Sequence, residues 1–287
     1  MSTPKKSVLI TGCSDGGLGA ALAIAFHQAG LHVYATARNP ARLTEVQSHG
    51  IETLTLDVLS DSSIAACVAQ VARLDILVNN AGALYSMPVS DLSMVQAKKL
   101  FDLNVWSYLA VTQAFLPLLL ESKGVIVNQT SSAGVLNVPF QATYNASKAA
   151  MSMFSHTMRL ELEPFGVRVV DLKTSAVVSR GLTNYRDLDR DISNTPAPVL
   201  PKGSIYEPAR EVVERSMRCE YTTPEVTAEQ WASQVVPELL KTNPPSNVWA
   251  GTKARMVRLL AMLPAGVMDG MMRKMTGLDV VKRMVGM

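Results

Sequence analysis

The stretch S-V-L-I-T-G-C-S-D-G-G-L-G, residues 7–19, joins a short apolar run to a glycine-rich loop and then to an apolar helical pattern. Glycine permits a tight turn and lets the backbone approach a pyrophosphate, while the first turn of the helix offers free N–H groups and the positive end of its dipole. Taken alone, such a motif is equally typical of an ordinary glycine-rich turn. Its position after the first predicted strand favours a nucleotide site, because doubly wound sheets bind nucleotides there.

Apolar, β-branched runs alternate with helical patterns along the chain, and nearly continuous apolar runs are typical of parallel strands covered on both faces. The pattern predicts strands at residues 7–11, 32–37, 52–56, 76–79, 125–129, 167–172 and 248–250. It predicts helices at residues 18–29, 61–72, 91–120, 144–163 and 224–240, followed by one or two terminal helices. The alternation indicates an α/β fold, a doubly wound parallel sheet (Rossmann fold) with helices on both faces, in a single domain spanning residues 1–287.

The composition is that of a globular chain with a substantial core, since 48% of the 287 residues are hydrophobic and 18% are charged. Cys13, Cys67 and Cys219 are odd in number and widely spaced, without a metal-ligand pattern. They favour a reducing compartment over a disulfide framework. The N-terminus leaves no room for a signal peptide, and no apolar run approaches the length of a membrane span. We therefore expect a cytoplasmic protein with no bound metal and no nucleic-acid partner.

Two segments depart from the regular alternation. Residues 182–224 include four prolines between Pro196 and Pro208, and so long a loop in a compact domain is usually functional or mobile, which predicts a substrate loop. Residues 248–287 carry seven basic and two acidic residues and eight of the fifteen methionines. Their net charge of +5 leaves −2 for the rest of a chain whose total is +3. This Met-rich basic C-terminal extension need not be a separate domain.

Four methionines of the extension fall on one helical face: Met268, Met271, Met272 and Met275. One interpretation is a helical lid whose adaptable methionine side chains line an apolar pocket. The other is an interfacial helix in peripheral contact with a membrane, that of the endoplasmic reticulum or a lipid droplet, through apolar and basic groups. Both interpretations imply a lipophilic small-molecule substrate.

The predicted second strand ends in H-V-Y-A-T-A-R-N, which contains Arg38. A carboxylate at this strand end binds a ribose 2′-hydroxyl, whereas an arginine suits a 2′-phosphate. No acidic residue lies between His32 and Arg42, so the sequence predicts NADP(H) in preference to NAD(H). Residues at the next two strand ends suit close passage of a flat ligand, and would equally suit plain turns. They are Asp57, Val58 and the run Asn79-Asn80-Ala81-Gly82.

A further motif, Y-N-A-S-K, places Tyr144 and Lys148 one turn apart on the same face of a predicted helix. Ser131, in N-Q-T-S-S-A-G, precedes Tyr144 by thirteen residues, and Asn104 lies in F-D-L-N-V. With the glycine loop and N-N-A-G, in this order along residues 7–179, these motifs resemble those of the short-chain dehydrogenase/reductase family.

The resemblance implies roles for four catalytic residues. Tyr144 is the proton donor, and Lys148 lowers the pKa of its phenol and holds the nicotinamide ribose. Ser131, rather than Ser132, hydrogen-bonds the carbonyl oxygen, and Asn104 anchors a water that links Lys148 to solvent. The implied cofactor contacts are Gly12, Ser14, Gly16, Gly17, Leu18, Gly19, Arg38, Asp57, Val58, Asn80, Tyr144, Lys148, Val177 and Ser179.

Within the family, the motifs resemble the NADPH-dependent 1-acyldihydroxyacetone-phosphate reductase branch and related fungal tailoring reductases. Two departures stand out. The loop has a doubled glycine, Gly16-Gly17, and an extra residue, and Asp15 brings a carboxylate close to the expected phosphate positions. Thr174-Ser175 stands where the family has Pro-Gly, although the following V-V-S still places Ser179 within reach of the nicotinamide amide.

We therefore expect NADPH-dependent reduction of a ketone on a lipophilic substrate, either an acyl-glycerone phosphate or a polyketide- or terpenoid-like metabolite. One alternative is a lyase or isomerase in which the nucleotide is structural. Another is a non-catalytic nucleotide sensor, against which the set of Ser131, Tyr144 and Lys148 argues. The sequence leaves the direction of reaction and the oligomeric state, including a homo-oligomer, open.

Overall fold

The computed structural model describes residues 5–179, 198–264 and 266–286, and it confirms the doubly wound sheet. Seven parallel strands pair in the order β3-β2-β1-β4-β5-β6-β7. They are β1 Ser7–Ile10, β2 His32–Ala37, β3 Glu52–Thr55, β4 Ile76–Asn79, β5 Val125–Ser131, β6 Arg168–Thr174 and β7 Asn247–Ala250. Each predicted strand is present, with small shifts at its ends.

Helices connect these strands. Those of the described residues are α1 Leu18–Gln28, α2 Thr44–Ser48, α3 Asp61–Val68, α4 Met94–Phe101, α5 Ser107–Ser122, α6 Ala142–Leu162, α7 Arg210–Met217, α8 Ala228–Leu239, α9 Ala254–Leu260, α10 Asp269–Thr276 and α11 Leu278–Val285. The bounds of α1, α6 and α8 agree with the predicted helices to within a few residues.

Strand order determines where the site lies. Strand β1 is flanked by β2 on one side and β4 on the other, so that Leu9 pairs with both Tyr34 and Leu77. The chain reverses its direction of travel across the sheet between β3 and β4, so the helices that follow β1 and β4 pack on opposite faces of the sheet. In open α/β sheets the resulting crevice, at the carboxyl ends of the strands, is where ligands bind.

Two apolar layers cover the sheet. Along β1 the side chains alternate, so that Val8 and Ile10 pack in the layer of α1 and α8, and Leu9 packs in the layer of α3 and α5. The centres of both layers are excluded from solvent, since Trp231 of α8 and Phe115 of α5 are fully buried. Burial on both faces explains why the strands read as continuous apolar runs.

A third, smaller core ties the C-terminal helices to the rest of the molecule. Val281 of α11 packs with Val213 and Met217 of α7, and Phe140 joins them from the segment before α6. The C-terminal extension is thus anchored through α7. It contains three helices, α9, α10 and α11, rather than the predicted one or two.

The predicted helix at residues 91–120 is wrong as one continuous element. It is divided into α4, a π-helical turn at Asp102–Trp106, and α5. The break follows from a tertiary interaction. The side chain of the fully buried Asn104 accepts a hydrogen bond from the N–H of Ala83 and donates one to the Ala83 carbonyl oxygen. A local pattern of apolar residues does not record such a contact.

The predicted irregular stretch at residues 182–224 is also wrong in part, because α7 occupies Arg210–Met217. Residues 182–197 of that stretch lie outside the described residues. The short helix α2 was not predicted either. Its first turn is capped by Asp15, which accepts hydrogen bonds from Thr44 and Glu45, and this partner lies about thirty positions away.

One helical stretch of the described residues, Met94–Ser122, is long and apolar enough to cross a membrane by length and composition. This corrects the expectation that no such run exists. The stretch is divided by the π-helical turn, and 44% of its most apolar window is buried inside the protein. Its apolar character matches its place in the core, where Val111, Phe115 and Leu119 are fully buried.

Candidate active site

A cleft of about 2020 Å³ opens at the carboxyl ends of the strands. It is bounded by Gly12 after β1, Asp57 after β3, Asn80 after β4, Ser131 at the end of β5 and Thr174 at the end of β6. Typical small-molecule pockets measure about 300–1,000 Å³. The cleft therefore has room for a dinucleotide and a second molecule beside it.

The glycine loop approaches its neighbours too closely for side chains. Gly12 has φ +74°, and a Cβ added to it would lie 2.9 Å from Cα of Ala81. A Cβ added to Gly19 would lie 2.5 Å from the carbonyl oxygen of Gly12 and 2.6 Å from Nδ2 of Asn80. The Asn80 amide in turn donates to the carbonyl oxygens of Thr11 and Gly12, at 2.8 and 3.1 Å. These contacts hold the loops after β1 and β4 together at the crevice.

The N-terminus of α1 fits a phosphate group. Gly17 is the N-cap residue, and no side chain caps this end of the eleven-residue helix. Gly17 and Leu18 line the cleft together with Ser14. Backbone N–H groups and the positive end of the helix dipole thus meet a cavity, which is the arrangement that binds anions such as the pyrophosphate of a dinucleotide.

The extra residue of the loop is accommodated by α2. The Asp15 carboxylate accepts hydrogen bonds from the Thr44 hydroxyl at 2.6 Å and from the Glu45 N–H at 2.9 Å. A second hydrogen bond joins the same two segments, since Oε2 of Glu45 accepts from the Gly16 N–H at 2.7 Å. The N–H of Gly16 is thereby committed to a carboxylate, and Gly16 is not among the residues that line the cleft. The acidic side chain at position 15 caps a helix.

Basic residues line the outer end of the cleft. Arg38 is the residue after β2 and is exposed, and Arg42 is half-buried a few residues further on. Asp57 and Val58, which follow β3, also line the cleft. Oδ1 of Asp57 accepts from the N–H of Leu59 at 3.0 Å, which fixes the turn. Arg38 therefore borders the cleft, together with the carboxylate of Asp57, near the strand end from which the sequence predicted a 2′-phosphate contact.

Three of the four predicted catalytic residues line the cleft together. Ser131 ends β5, and Tyr144 and Lys148 lie one turn apart on α6. The Ser131 hydroxyl oxygen accepts from the N–H of Ala133 at 3.1 Å, and the Ser131 side chain also hydrogen-bonds Tyr144. The spacing of thirteen residues thus does bring this serine to this tyrosine.

Burial controls the pKa of Tyr144. It raises the pKa of the phenol, the hydrogen bond with Ser131 lowers it, and the nearby Cys219 thiol raises it further. The net effect is a pKa above the ordinary value of a tyrosine phenol. This corrects the expectation that Lys148 lowers the pKa of Tyr144. The physical reason is the placement of the lysine, whose Nζ lies 5.9 Å from the centre of the Tyr144 ring and donates to the carbonyl oxygen of Gln129 at 2.8 Å.

Lys148 is itself buried, being 4% exposed. Burial lowers the pKa of its ammonium to about 8, although the charge of Asp171 acts in the opposite direction. Tyr108 stands on the other side, with its ring centre 5.4 Å from Nζ and its hydroxyl 3.3 Å from the same Gln129 oxygen. The amine can therefore lose or hold a proton in the neutral to mildly alkaline range.

Asn104 is not one of the described residues that line the cleft. Its buried side chain uses both N–H groups and one acceptor position, since Oδ1 accepts from the Ala83 N–H at 3.0 Å while Nδ2 donates to the Ala83 carbonyl at 3.0 Å and to the Ser147 hydroxyl at 3.1 Å. This side chain therefore joins α6 to the loop after β4. It belongs to the π-helical turn, and such turns are frequent at functional sites.

The remaining predicted contacts lie after β6. Val177 and Ser179 line the cleft, as do Thr174 and Ser175 in place of the family's Pro-Gly. The hydroxyl of Thr174 accepts from Nε2 of Gln129 at 2.7 Å. Gly251, after β7, lies so close that an added Cβ would stand 2.8 Å from the Ser175 carbonyl oxygen. This turn is fixed by packing against β7 without a proline.

The other half of the cleft is apolar. It is lined by two side chains before α6, by residues of α9 and by all four methionines singled out from the sequence: Leu136, Val138, Met256, Val257, Leu260, Met268, Met271, Met272 and Met275. Met272 is buried, whereas Met271 and Met275 are 38% and 41% exposed. The methionine face thus borders the same cavity as the predicted catalytic residues.

Sequence reasoning missed many of the polar side chains that line the cleft, among them Arg42, Lys99, Gln141, Cys219 and Tyr221. Arg42 lies within the stretch that was searched for acidic residues, so its charge could have been noticed. The other four belong to no motif of the family, and they reach the cleft only through tertiary folding.

Comparison with known proteins shows the family to which the chain belongs. A family model described as short chain dehydrogenase matches residues 6–189. A short-chain dehydrogenase/reductase of Pestalotiopsis microspora is 53% identical and covers 99% of both chains. An NADPH-dependent 1-acyldihydroxyacetone phosphate reductase of Schizosaccharomyces pombe is 35% identical, over 92% of this chain and 91% of that one.

Among solved structures, a short-chain dehydrogenase from Streptomyces avermitilis superposes with a TM-score of 0.75 at 25% identity, over 99% of both chains. One from Burkholderia cenocepacia, in complex with NADP, has the same fold, with a TM-score of 0.70 at 22% identity over 96% of this chain and 99% of that one. The chain is therefore an oxidoreductase that belongs to the short-chain dehydrogenase/reductase family.

Proposed function

We propose that this protein is an NADPH-dependent reductase that converts a ketone on a lipophilic substrate to an alcohol. The observation that carries the proposal is the meeting of Ser131, Tyr144 and Lys148 in one cleft between the glycine loop and an apolar wall. The nucleotide end supplies anion-binding groups, and the apolar end supplies a surface for the substrate. The three polar side chains lie between the two ends.

Each side chain has a distinct task in this proposal. NADPH, when bound, supplies the hydride. Ser131 donates a hydrogen bond to the substrate carbonyl oxygen and stabilises the negative charge that develops there. Tyr144 gives its phenolic proton to that oxygen. Because burial raises the pKa of Tyr144, the phenol carries its proton at neutral pH, which is the state that a proton donor needs.

Lys148 supports the tyrosine. Its position on α6 suits a contact with the nicotinamide ribose, and its amine, whose pKa is about 8, can return a proton to Tyr144 after the phenol has given up its own. Asn104 acts as a positioning residue, because its amide holds the loop after β4 against α6 through Ala83 and Ser147. A water bound near the π-helical turn would complete a proton path from Lys148 to solvent.

We propose NADP(H) rather than NAD(H) because of the charge at the outer end of the cleft. Arg38 and Arg42 both border it, and guanidinium groups recognise phosphate by paired, charge-assisted hydrogen bonds. The relative from Schizosaccharomyces pombe is named as NADPH-dependent, which supports the same preference.

The proposed substrates are an acyl-glycerone phosphate or a polyketide- or terpenoid-like ketone. The apolar half of the cleft, with its methionines, suits a flexible hydrocarbon group. The name of the Schizosaccharomyces pombe relative, a 1-acyldihydroxyacetone phosphate reductase, supports the first class.

We propose that the C-terminal helices form a lid, since four of their methionines line the cleft. Their outer surface also carries exposed apolar side chains, including Leu259 and Met262, which are 67% and 79% exposed. Arg255 and Arg258 lie in α9 together with Leu259, and Met262 follows two residues after this helix ends. This combination suits peripheral contact of a cytoplasmic enzyme with an anionic membrane, that of the endoplasmic reticulum or a lipid droplet.

The test is the consumption of NADPH with a panel of acyl-glycerone phosphates, steroids and aromatic polyketide ketones, each also assayed with NADH. Loss of NADPH absorbance that requires both ketone and enzyme supports the proposal. Conversion of a substrate without consumption of either nucleotide would contradict it and would indicate lyase or isomerase chemistry.

A further inference from the structure

Three polar side chains from distant parts of the chain meet on the wall of the cleft. The side-chain nitrogen of Gln141 lies 3.0 Å from the sulfur of Cys219 and 3.1 Å from the phenol oxygen of Tyr221. All three residues line the cleft. Gln141 directly precedes α6, three residues before Tyr144, so this cluster stands beside the proposed proton donor.

The turn between α7 and α8 that carries the cluster has an unusual conformation. Cys219 has φ +60°, in the left-handed region that is disfavoured for a residue with a Cβ. On the outer side of the turn, the Glu220 carboxylate pairs with Arg218 at 2.6 Å and with Arg215 at 3.3 Å. Strained backbone that is held from several sides is typical of ligand-binding positions.

The hydroxyl of Tyr221 has a proton available for a further hydrogen bond. Gln141 is 4% exposed, and its amide nitrogen has two N–H groups, one for each of its two partners. The Tyr221 oxygen is therefore an acceptor towards Gln141, and the phenolic proton points elsewhere. Its partner within the protein is the Cys219 sulfur, which is a weak acceptor. An oxygen atom of a molecule in the cleft would be a better one.

The protonation state of Tyr221 suits such a donor. Burial raises the pKa of its phenol, and the neighbouring Cys219 and Tyr144 raise it further. The hydroxyl therefore keeps its proton across the neutral range. Tyr144 and Tyr221 thus present two phenols to the same cleft, one beside Ser131 and the other held by Gln141.

We propose that Tyr221, positioned by Gln141, is a specificity-determining hydrogen-bond donor that recognises a second oxygen of the substrate. The substrate class is then a ketone that carries another carbonyl, ester or ether oxygen near the reacting carbonyl, such as a 3-oxo ester or an acyloxy ketone. This inference rests on the proposed carbonyl reduction. It narrows the substrate beyond lipophilicity, because a site built to bond an oxygen rejects the analogue that lacks it.

The test compares two ketones of equal chain length, a 3-oxo ester and a plain methyl ketone, with the wild type and Tyr221→Phe. For the 3-oxo ester we expect kcat/KM to fall about tenfold or more in the variant, mainly through KM, and for the plain ketone we expect little change. The pH profile of kcat should be unaltered. Tyr206→Phe is the matched control, since Tyr206 packs against Phe140 and is outside the set that lines the cleft.

Equal losses on both ketones, no loss on either, or a shifted pH profile would overturn the inference, the last because it would mean that Tyr221 acts through Tyr144. Gln141→Leu provides a second variant, for which the same selective loss is expected. Binding of the two ketones to the complex of the enzyme with NADP⁺, measured by calorimetry, needs no turnover. If the wild type reduces neither ketone but Tyr221→Phe weakens only the 3-oxo ester, the proposed reduction fails and the oxygen-binding role stands.

Discussion

The ammonium nitrogen of Lys148 lies 5.9 Å from the centre of the Tyr144 ring, and it donates a hydrogen bond to the backbone of β5 at Gln129. The lysine is therefore oriented by the sheet as well as by the helix that it shares with the tyrosine. Because β5 also ends in Ser131, one strand and one helix fix all three groups. The relative position of donor, activator and oxyanion contact then depends on the packing of α6 against β5.

Tyr144→Phe should reduce kcat by at least about 100-fold, because general acid catalysis typically contributes 10²–10⁴-fold and only the ionisable oxygen is lost. The dissociation constant of NADPH, measured by calorimetry, should change little. Tyr85→Phe is the control. The Tyr85 hydroxyl accepts from the N–H of Ser93, and Tyr85 is not one of the described residues that line the cleft. Retention of more than about a tenth of the wild-type rate would contradict the role of Tyr144.

Lys148→Met should abolish turnover and weaken NADPH binding, yet it should not lower the unfolding temperature at pH 7. A buried ammonium costs stability, and the Gln129 carbonyl keeps its contact with the Tyr108 hydroxyl.

The pH dependence of stability follows from the pKa of about 8 for Lys148 in the folded protein, against 10.5 as the ordinary value. Between these two values the unfolded chain holds a proton that the folded chain has lost, so the wild type gains stability as pH rises. We expect the stability advantage of Lys148→Met to be greatest below pH 8 and to shrink from about pH 8 to pH 10. Calorimetric unfolding over this range measures it, and an advantage that grows with pH would contradict the burial of a charged lysine.

Arg38→Asp should shift the ratio of kcat/KM for NADPH over NADH towards NADH by tenfold or more. A hydrogen bond to a charged group contributes about 1.5–3 kcal/mol, and about 1.4 kcal/mol is tenfold. Arg159→Asp is the charge-matched control, because Arg159 lies on α6 outside the set that lines the cleft. An unchanged ratio in Arg38→Asp would assign the 2′-phosphate to another residue, with Arg42 as the first to test.

Met271→Gln combined with Met275→Gln should raise KM for a long-chain ketone several-fold while NADPH binding stays the same. Both side chains line the cleft and are partly exposed, and glutamine preserves length and helix propensity. Met272 is left unchanged because it is 3% exposed. Met284→Gln is the control, since Met284 is exposed at 43% and lies outside the set that lines the cleft.

A second double variant, compared with the one at Met271 and Met275, separates the lid from a membrane contact. If the exposed side chains of α9 and of the turn after it bind a membrane, Leu259→Gln with Met262→Gln should detach the protein from anionic liposomes and leave the kinetics on a soluble ketone unchanged. If neither wild type nor variant binds liposomes, the membrane contact is wrong. If KM for a long-chain ketone is also unchanged in the double variant at Met271 and Met275, the proposal of a lid is wrong as well.

The sequence predicted best those parts of the site that lie at strand ends. Gly12, Asp57, Asn80 and Ser131 each follow or end an apolar run, and parallel strands bring such ends to one edge of the sheet. The motif Y-N-A-S-K needed only the geometry of one helical turn. For these residues, local pattern and fold class together determine the position.

The parts that the sequence did not predict depend on contacts between distant residues. The π-helical turn at Asp102–Trp106 accompanies the hydrogen bonds of Asn104 to Ala83 and Ser147. The position of Asp15 depends on Thr44, whose helix had no local signal. The placement of Tyr221 beside Gln141 depends on the docking of α7, and no motif encodes it.

Hydride transfer from NADPH to a ketone carbon, with Tyr144 as the proton donor, is tested most directly by isotope transfer. The enzyme is incubated with a ketone and with NADPH that carries deuterium at the reactive position of the nicotinamide, and the product is analysed by mass spectrometry. We expect the wild type to form an alcohol with deuterium on the carbinol carbon, and Tyr144→Phe to form almost none. A product without deuterium, formed while the nucleotide stays reduced, would contradict carbonyl reduction by this site.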